Sequence, residues 1–221
     1  VYSNDMLQLA ARVAEQQQLA PLPPLEAETI IVQSNELSRW LSLYLATHHG
    51  IASNIDFPYP SAYIWALFRR VLPEIPKESP FGKDAMTWRI FDLLQECSQQ
   101  AGFEVVAGYL GEQDGNDDVV KRYGLAHRIA DSFDQYLMYR PDWLQAWENE
   151  AGPLPHWQAK LWKQLTQDPN SDASQPALHR ANLLKQLTHY LRQSEQRPDG
   201  LPQRLAIFGI SALPPVYLEL Y

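Results

Sequence analysis

The chain has 221 residues, of which 45% are hydrophobic and 20% are charged, and its net charge is −8. This length can bury one sizeable core, or one core with a satellite helical domain. Because Lys and Arg supply the contacts to phosphate, so acidic a chain is a poor candidate for nonspecific nucleic-acid binding over its whole surface, and such binding requires a local basic groove.

No apolar stretch approaches the ~20 residues that a membrane-spanning helix needs. The first residues also lack the basic and apolar regions of a signal peptide. The single cysteine, Cys97, cannot form an internal disulfide, and its helical surroundings indicate a packing role. Together these features predict a cytoplasmic protein.

The first part of the chain alternates strand and helix patterns. Residues 1–5 are typical of a strand end with a helix N-cap, and helical spacing follows over 6–17. Thr29–Val32 is a β-branched run typical of a buried parallel strand. A helix is predicted from Ser34 to His49, ended by Gly50. This order predicts a βαβ unit whose polar turn lies at the carboxyl edge of the sheet, where α/β folds bind ligands.

The block Asn54–Pro60 predicts a stiff aromatic loop, because its prolines restrict the backbone. A helix follows over Ser61–Leu72 and ends before the prolines at 73 and 76. A stiff loop of this kind, next to a sheet edge, is suited to holding an extended ligand.

Helical periodicity dominates the middle of the chain. We predict helices at Asp84–Gln99, Val119–Arg140, from Pro141 through Trp147, Gln158–Thr166 and Leu178–Arg192. The connections 111–118 and 167–175 are charged or polar, and Arg204–Ser211 is a second candidate for a buried strand. The sequence therefore predicts an α/β fold, with a parallel-sheet core in 1–80, a large, mostly α-helical inserted domain in 81–200, and a return to the core in 201–221.

The chemistry of nucleotide hydrolysis is missing from this pattern. A hydrolysing core carries GxxxxGK[ST] after its first strand, where glycine amides and the lysine hold phosphate, whereas the turn here is Ser3-Asn4-Asp5. The late strand ends in Ile210-Ser211-Ala212 and offers no acidic pair for Mg²⁺. His48 and His49 lack further ligands at metal-binding spacing. We predict no catalytic site, no metal site and no cofactor in this chain.

With these features the chain resembles the RecC family, the gamma chains of exodeoxyribonuclease V, which are noncatalytic partners in the RecBCD helicase–nuclease. The resemblance rests on blocks that follow the family's order along nearly the whole chain. They are Ile31–Ser34 with Trp40-Leu41; Gly50–Ala52 with Asn54–Pro60 and Arg70–Ser79; Phe133–Leu137 with Tyr139–Leu144; His179–Leu183; and Gly209–Tyr217. They correspond to the N-terminal portion of a protein of RecC length.

The resemblance implies a degenerate helicase-like fold without ATPase motifs. It also implies a subunit for double-strand-break repair and recombination, which contributes to duplex splitting and scans the 3′-terminated strand for the hotspot Chi. The implied partners are single-stranded and forked DNA, and RecB-like and RecD-like subunits in a heterotrimer. Those subunits would supply the ATP and Mg²⁺ sites. No membrane is implied.

The resemblance also transfers ten scanning candidates to this sequence. They are Gln33, Asn35, Arg39, Tyr59, Trp65, Asp131, Ser132, Asp134, Arg140 and Arg180. Four differ in type from the best-known form of the family: Asn35 replaces a hydroxyl residue, Arg39 an amide, and Tyr59 and Ser132 each a leucine. The path of the strand is retained, and the pattern leaves open whether this chain reads Chi, a variant of Chi or no sequence.

Each candidate in the first part of the chain has two interpretations. The Gln33 amide can pair with a base edge or cap the next helix. Tyr59, between two prolines, can be a stacking platform worth ~1–3 kcal/mol per base, or can pack with Trp65, which fits either role. Arg39 can contact phosphate or stay solvated, and its neighbour Trp40 is predicted to lie in the core.

The later candidates are charged. Asp131 and Asp134 share a helix face and can accept hydrogen bonds from cytosine, while Arg140 can fork onto guanine or phosphate. The alternative is an internal Asp–Arg network that holds the end of the helix. Arg180 is either a DNA contact or a surface arginine.

Two functions therefore compete. One is a DNA-guiding, sequence-scanning subunit, and the other is a scaffold that only stabilises the partner helicase and nuclease subunits. An active helicase would need the missing phosphate loop. Because this segment is acidic and a tunnel needs further walls, we expect the isolated segment to bind single-stranded DNA weakly.

Overall fold

The computed structural model describes residues 3–72, 74–111, 118–149, 156–167, 177–194, 198–199 and 201–213. The described residues fold into two compact units. Unit 1 comprises those between 3 and 72 and from 191 to 213, and unit 2 comprises those from 74 to 190. Of the described helices, none is both long enough and apolar enough to span a membrane.

Unit 1 contains a three-stranded parallel sheet. Its elements are α1 (Met6–Leu19), β1 (Glu28–Ile31), α2 (Asn35–His49), β2 (Ile55–Asp56), α3 (Pro60–Val71) and β3 (Leu205–Ile207). The strand order is β2-β1-β3, with Glu28 opposite Ile55 and Thr29 opposite Leu205. All four residues of the central strand β1 are buried. Its side chains pack with apolar residues of α1 and α2, including Ala10, Leu41 and Leu45.

The predicted βαβ unit is present, because β1 and β2 are parallel and α2 connects them, but its second strand was not located from the sequence. Helix α2 begins where the sequence predicts. Ser34 is its N-cap, and the Ser34 hydroxyl accepts a hydrogen bond from the Leu37 N–H at 3.2 Å. It ends at Gly50, whose φ of +78° suits a residue without Cβ.

Two predictions about strands were wrong in part. Ile55 and Asp56, expected within the stiff loop, pair with β1 as strand β2. The Arg204–Ser211 strand is confirmed at β3, but it is not fully buried, because Ile207 is 38% exposed. Among the described strands β3 pairs with β1 alone, so one side of it lacks a neighbour.

Arg204 fastens the late strand to the start of the chain. Its Nε and Nη2 donate to the two carboxylate oxygens of Glu28 at 2.8 and 2.5 Å. Its Nη1 donates to the backbone carbonyl of Ala20 at 2.8 Å. This fork satisfies a nearly buried carboxylate, and it joins β3, β1 and the end of α1.

Unit 2 is helical in its described residues. Its helices are α4 (Lys83–Cys97), α5 (Glu104–Leu110), α6 (Val119–Tyr139), α7 (Pro141–Glu148), α8 (His156–Thr166) and α9 (Arg180–Gln193), the last of which runs into unit 1. The core contains Ile90 and Leu94 of α4, Phe133 and Leu137 of α6, and Trp162 of α8.

The helices predicted in this region are confirmed within a few residues of their bounds, as are α1 and α3, whereas α5 was not predicted. The expected strand end at 1–2 and most of the connections 111–118 and 167–175 lie outside the described residues. The α/β class with a small parallel sheet is confirmed. The helicase-like core, the inserted domain and the boundaries 1–80, 81–200 and 201–221 stay predictions.

Candidate nucleic-acid interface

The three strands of unit 1 end beside one another. The Val32 N–H donates to the Pro58 carbonyl at 3.1 Å, and the Phe208 N–H donates to the Ile31 carbonyl at 2.9 Å. Gln33 directly follows Val32 and Tyr59 directly follows Pro58. These two residues therefore lie in the adjacent chain segments that leave β1 and β2. This carboxyl edge is where parallel α/β sheets bind ligands.

An open groove lies at this edge. It is lined by Met6, Gln33, Ser34, Glu36, Leu37, Trp40 and Gly209, and we refer to it as the sheet-edge groove. Gly209 lies in its wall with φ +65°, and a Cβ there would lie 2.6 Å from Leu37 Cδ2. Glycine is favoured here chiefly by its positive φ, and its missing Cβ leaves room for the Leu37 side chain.

The sheet-edge groove and the adjoining turns of α2 hold three of the predicted contacts. Gln33, Asn35 and Arg39 are exposed, and their side chains form no hydrogen bond or ion pair with any described residue. Ser34 caps α2, so the interpretation of Gln33 as a capping amide is wrong. The Gln33 amide keeps its donors and its acceptor available for a ligand.

Trp40 differs from the expectation of a core residue. It is 36% exposed and borders the sheet-edge groove. Its ring stacks on Tyr44 at 5.7 Å between centroids and on Phe208 at 6.2 Å, with interplanar angles of 27° and 24°. The helical stripe was read correctly, but the sheet ends beneath this turn of α2 and leaves part of the indole uncovered.

Tyr59 and Trp65 lie at the start and middle of α3. Tyr59 is 40% exposed at the N-cap position, where Pro60 begins the helix. Trp65 is half-buried and packs edge-on against Phe68, with centroids 5.9 Å apart. Tyr59 is therefore the more accessible of the two for stacking.

In unit 2 the predicted contacts on α6 are engaged with other helices. Asp131 accepts from Lys83 Nζ of α4 at 2.7 Å. This hydrogen bond lowers the pKa of Asp131 and raises the pKa of Lys83. Asp134 forms an ion pair with Arg180 of α9, whose side chain is only 18% exposed. The alternative of an internal Asp–Arg network is thus present, with Arg180 rather than Arg140 as the arginine.

Arg140 is engaged at the junction of α6 and α7. Its guanidinium forks onto the Asp142 carboxylate at 3.2 and 3.1 Å and lies 3.7 Å from the centre of a Trp143 ring. Hydrogen bonding to Arg140 lowers the pKa of Asp142. Ser132 donates back to the Arg128 carbonyl at 3.0 Å, as hydroxyls within helices often do.

No group of three or more His, Cys, Asp or Glu side chains in the described ranges is placed to hold a metal ion. The structure thus gathers Gln33, Asn35 and Arg39 near the sheet-edge groove, with Tyr59 at the N-cap of α3, three residues after strand β2. It gathers Asp131, Asp134 and Arg180 into contacts between helices of unit 2. Whether these ten residues bind DNA stays a prediction.

The model of the RecC N-terminal domain matches residues 1–221, the whole chain. The chain belongs to the RecC family. It is 45% identical over 201 residues to the RecBCD enzyme subunit RecC of Escherichia coli. The aligned region covers 89% of this chain and 18% of the Escherichia coli protein. The Haemophilus influenzae subunit is 36% identical over 91% of this chain and 20% of its own length. The Mycolicibacterium smegmatis subunit is 30% identical over 90% of this chain and 18% of its own length. The chain therefore spans about a fifth of the length of these RecC proteins.

The sequence did not reveal a buried polar cluster of this RecC-family chain. Glu148 at the end of α7 accepts hydrogen bonds from His179 Nε2 at 2.7 Å, Trp162 Nε1 at 2.9 Å and Asn182 Nδ2 at 3.2 Å. Burial opposes ionisation of Glu148, but these hydrogen bonds outweigh it and lower its pKa. The signal was the block His179–Leu183, in which His179 and Asn182 lie three positions apart, a spacing that puts both on one side of a helix start.

Two residues of the sheet-edge groove were also missed. Glu36 and Trp40 lie four positions apart, which places both on one side of the first turns of α2, and Gln33 comes just before the Ser34 cap of that helix. This spacing was visible in the sequence, but only the position of the sheet edge shows that these residues share a groove.

Proposed function

We propose that this chain is the N-terminal part of a noncatalytic, DNA-guiding subunit of a RecBCD-type helicase–nuclease. It contributes to splitting the duplex and to scanning the 3′-terminated single strand for a Chi-type hotspot. It works in the cytoplasm, in double-strand-break repair and recombination, with RecB-like and RecD-like subunits that supply the ATP and Mg²⁺ sites. The RecC family membership and the names of the relatives support this proposal.

The observation on which the scanning role rests is the exposed amide of Gln33 in the sheet-edge groove. A side chain that both donates and accepts is suited to base edges, which present donors and acceptors in patterns. Its position at the carboxyl edge of a parallel sheet is a general ligand position of α/β folds. Arg39, exposed one turn further along α2, supplies a positive charge for phosphate.

In this proposal the two units have different roles. Unit 1 is the first part of a helicase-like core that no longer hydrolyses ATP, and unit 2 belongs to a helical insertion. The strand passes over the sheet-edge groove and Tyr59, which stacks on a base. In unit 2, the parts of the ion-paired candidates that remain exposed are those that DNA can contact.

The test uses the full-length protein assembled with its partner subunits. We compare wild type with Gln33→Ala, Trp65→Ala and Arg140→Ala for DNA unwinding and for cutting near candidate hotspots. As a matched control we use Gln8→Ala, a glutamine exposed on α1 and absent from the sheet-edge groove. We expect the candidate variants to unwind DNA normally and to lose the hotspot response. A full response in all of them would overturn the scanning role.

A second function is favoured by the ion pairs of unit 2. Lys83–Asp131 and Asp134–Arg180 hold α6 to α4 and α9, so these candidates stabilise unit 2 itself, as a role confined to scaffolding would require. If Arg180→Ala weakens assembly with the partners while all hotspot responses stay intact, the scaffold function is the better description of this segment.

A further inference from the structure

The sheet-edge groove contains a carboxylate that the family resemblance did not single out. Glu36 is exposed in the first turn of α2. Its own backbone N–H and the Ser34 hydroxyl hydrogen-bond to it and lower its pKa. At neutral pH this carboxylate is therefore ionised and can only accept hydrogen bonds.

Glu36 makes the sheet-edge groove unsuited to phosphate. Its negative charge lies at the positive end of the α2 dipole, where an anion would otherwise be stabilised. None of the lining residues of the sheet-edge groove is Lys or Arg. A nucleic-acid strand in this groove must therefore turn its bases inward and its phosphates outward, toward Arg39 and solvent.

Trp40 adds a donor at a fixed position. Stacking on Tyr44 and Phe208 restrains its ring. Its indole Nε1–H bonds to no described residue. Trp40 lines the sheet-edge groove one turn of α2 beyond Glu36, so this donor is unpaired among the described residues and available to a ligand. Met6 and Leu37 supply apolar surface for the face of a base.

We infer that the sheet-edge groove is a base-selecting site in which Glu36 and Trp40 recognise guanine in single-stranded DNA. Guanine is the common base with two adjacent donors, N1–H and the N2 amino group, on its Watson–Crick edge, and both can bond to one carboxylate. Adenine and cytosine place an acceptor beside their amino group, and thymine flanks its N–H with two carbonyls. The Trp40 N–H would donate to guanine O6. Single-stranded DNA leaves this edge free.

This inference rests on the proposed function, because it assumes that a single strand enters the sheet-edge groove. The test measures the affinity of the full-length protein for thymidine homopolymers that contain guanine at one scanned position. The guanine is then replaced by inosine, which lacks the N2 amino group, or by 7-deazaguanine, which keeps the Watson–Crick edge. For wild type we expect inosine at the best position to weaken binding about tenfold, and 7-deazaguanine to leave it unchanged.

The variants assign this selectivity to residues. Glu36→Ala should bind guanine and inosine oligonucleotides equally. Trp40→Phe keeps the stacked ring but lacks the N–H, so it should weaken the guanine complex while leaving the unfolding midpoint in urea unchanged. Glu15→Ala, an exposed glutamate on α1 outside the sheet-edge groove, should retain the full preference for guanine over inosine.

The outcomes separate this inference from the proposed function. Salt-sensitive binding of single strands with equal affinity for guanine and inosine would overturn guanine selection and leave DNA guiding intact. A preference for cytosine, or a preference for guanine that survives Glu36→Ala, would also overturn it. If the full-length protein binds no single-stranded DNA, both proposals fail.

Discussion

The two units treat their predicted DNA contacts in opposite ways. Four candidates of unit 1 are exposed and have side chains without a partner among the described residues: Gln33, Asn35, Arg39 and Tyr59. Four candidates of unit 2 take part in ion pairs: Asp131, Asp134, Arg140 and Arg180. A ligand can use the first set without disturbing the fold, whereas it must share or replace an internal partner to use the second.

The net charges of the two regions also favour unit 1 as the more accessible of the two to an anionic ligand. The sequence of 1–73 and 191–213 contains seven Lys or Arg and eight Asp or Glu, a net charge of −1. The sequence of 74–190 contains eleven Lys or Arg and seventeen Asp or Glu, a net charge of −6. The acidity of the chain is thus concentrated in the second region, and phosphate repulsion should be weaker over unit 1. Unit 1 therefore offers side chains that a ligand can contact directly, whereas the candidate side chains of unit 2 already serve contacts within its own fold.

The largest effect on stability is expected at Glu148 of unit 2. Glu148→Ala removes the acceptor of Trp162, His179 and Asn182, and two of these side chains are fully buried. We expect the free energy of unfolding to fall by about 3 kcal/mol, because buried donors are left unpaired. Urea denaturation measures this change. Glu96→Ala, at an exposed position of α4, should change stability by less than about 0.5 kcal/mol; equal losses would contradict the supporting role of the cluster.

The next largest effect is expected in the wall of the sheet-edge groove. Gly209→Ala introduces a Cβ into contact with Leu37 at a residue with φ +65°. We expect a loss of about 2 kcal/mol from this strain. The matched control is Gly124→Ala within α6, where a Cβ meets nothing within 4 Å. It should stabilise the chain by up to about 1 kcal/mol. Thermal unfolding measures the melting temperature of each variant. If both substitutions shifted it in the same direction, this account would be refuted.

A smaller effect separates the charge of Glu148 from its shape. Glu148→Gln keeps the volume but loses the charge, and should cost about 1 kcal/mol at neutral pH. The pKa of Glu148 is lowered in the folded state, so its stabilisation is present above the ordinary value of 4.5 and is lost as pH falls through the lowered value. The stability curves of wild type and variant should therefore converge at acidic pH. Parallel curves would show that the charge is unimportant.

The ion pair between α6 and α9 should contribute less. A double-mutant cycle of Asp134→Ala and Arg180→Ala should give a coupling energy of about 0.5–1 kcal/mol, because both side chains are partly exposed. Urea denaturation of the four proteins gives this value. A coupling near zero would mean that the two residues are as free to bind DNA as those of unit 1, and would remove the contrast between the units.

The smallest effect on folding is expected at Gln33. Gln33→Ala should change the free energy of unfolding by less than about 0.5 kcal/mol, since the side chain has no partner among the described residues. The same substitution in the full-length protein should weaken binding of single-stranded DNA. A stable variant with unchanged DNA affinity would argue that exposure in unit 1 does not indicate function.

Local signals account for what the sequence predicted correctly. Ser34 and Gly50 mark the two ends of α2 through capping and a left-handed φ, and both effects depend on neighbouring residues alone. Strand β2 was missed because its two residues are a strand only through their pairing with Glu28 and Thr29. The partner of Asp134 lies 46 positions away, so spacing along α6 could not reveal it. The exposure of Trp40 likewise depends on where the sheet ends.

The pairing of β1 with β3 has a consequence for synthesis on the ribosome. Thr29 of β1 can pair with Leu205 of β3 only after Leu205 has been translated, 176 residues later. At roughly 5–20 residues per second, this delay is about 10–35 s. During this time strand β1 is without its β3 neighbour and can pair with another nascent chain. We expect newly made chains to need a chaperone until residue 205 emerges, and a stall before that point to leave an aggregation-prone intermediate.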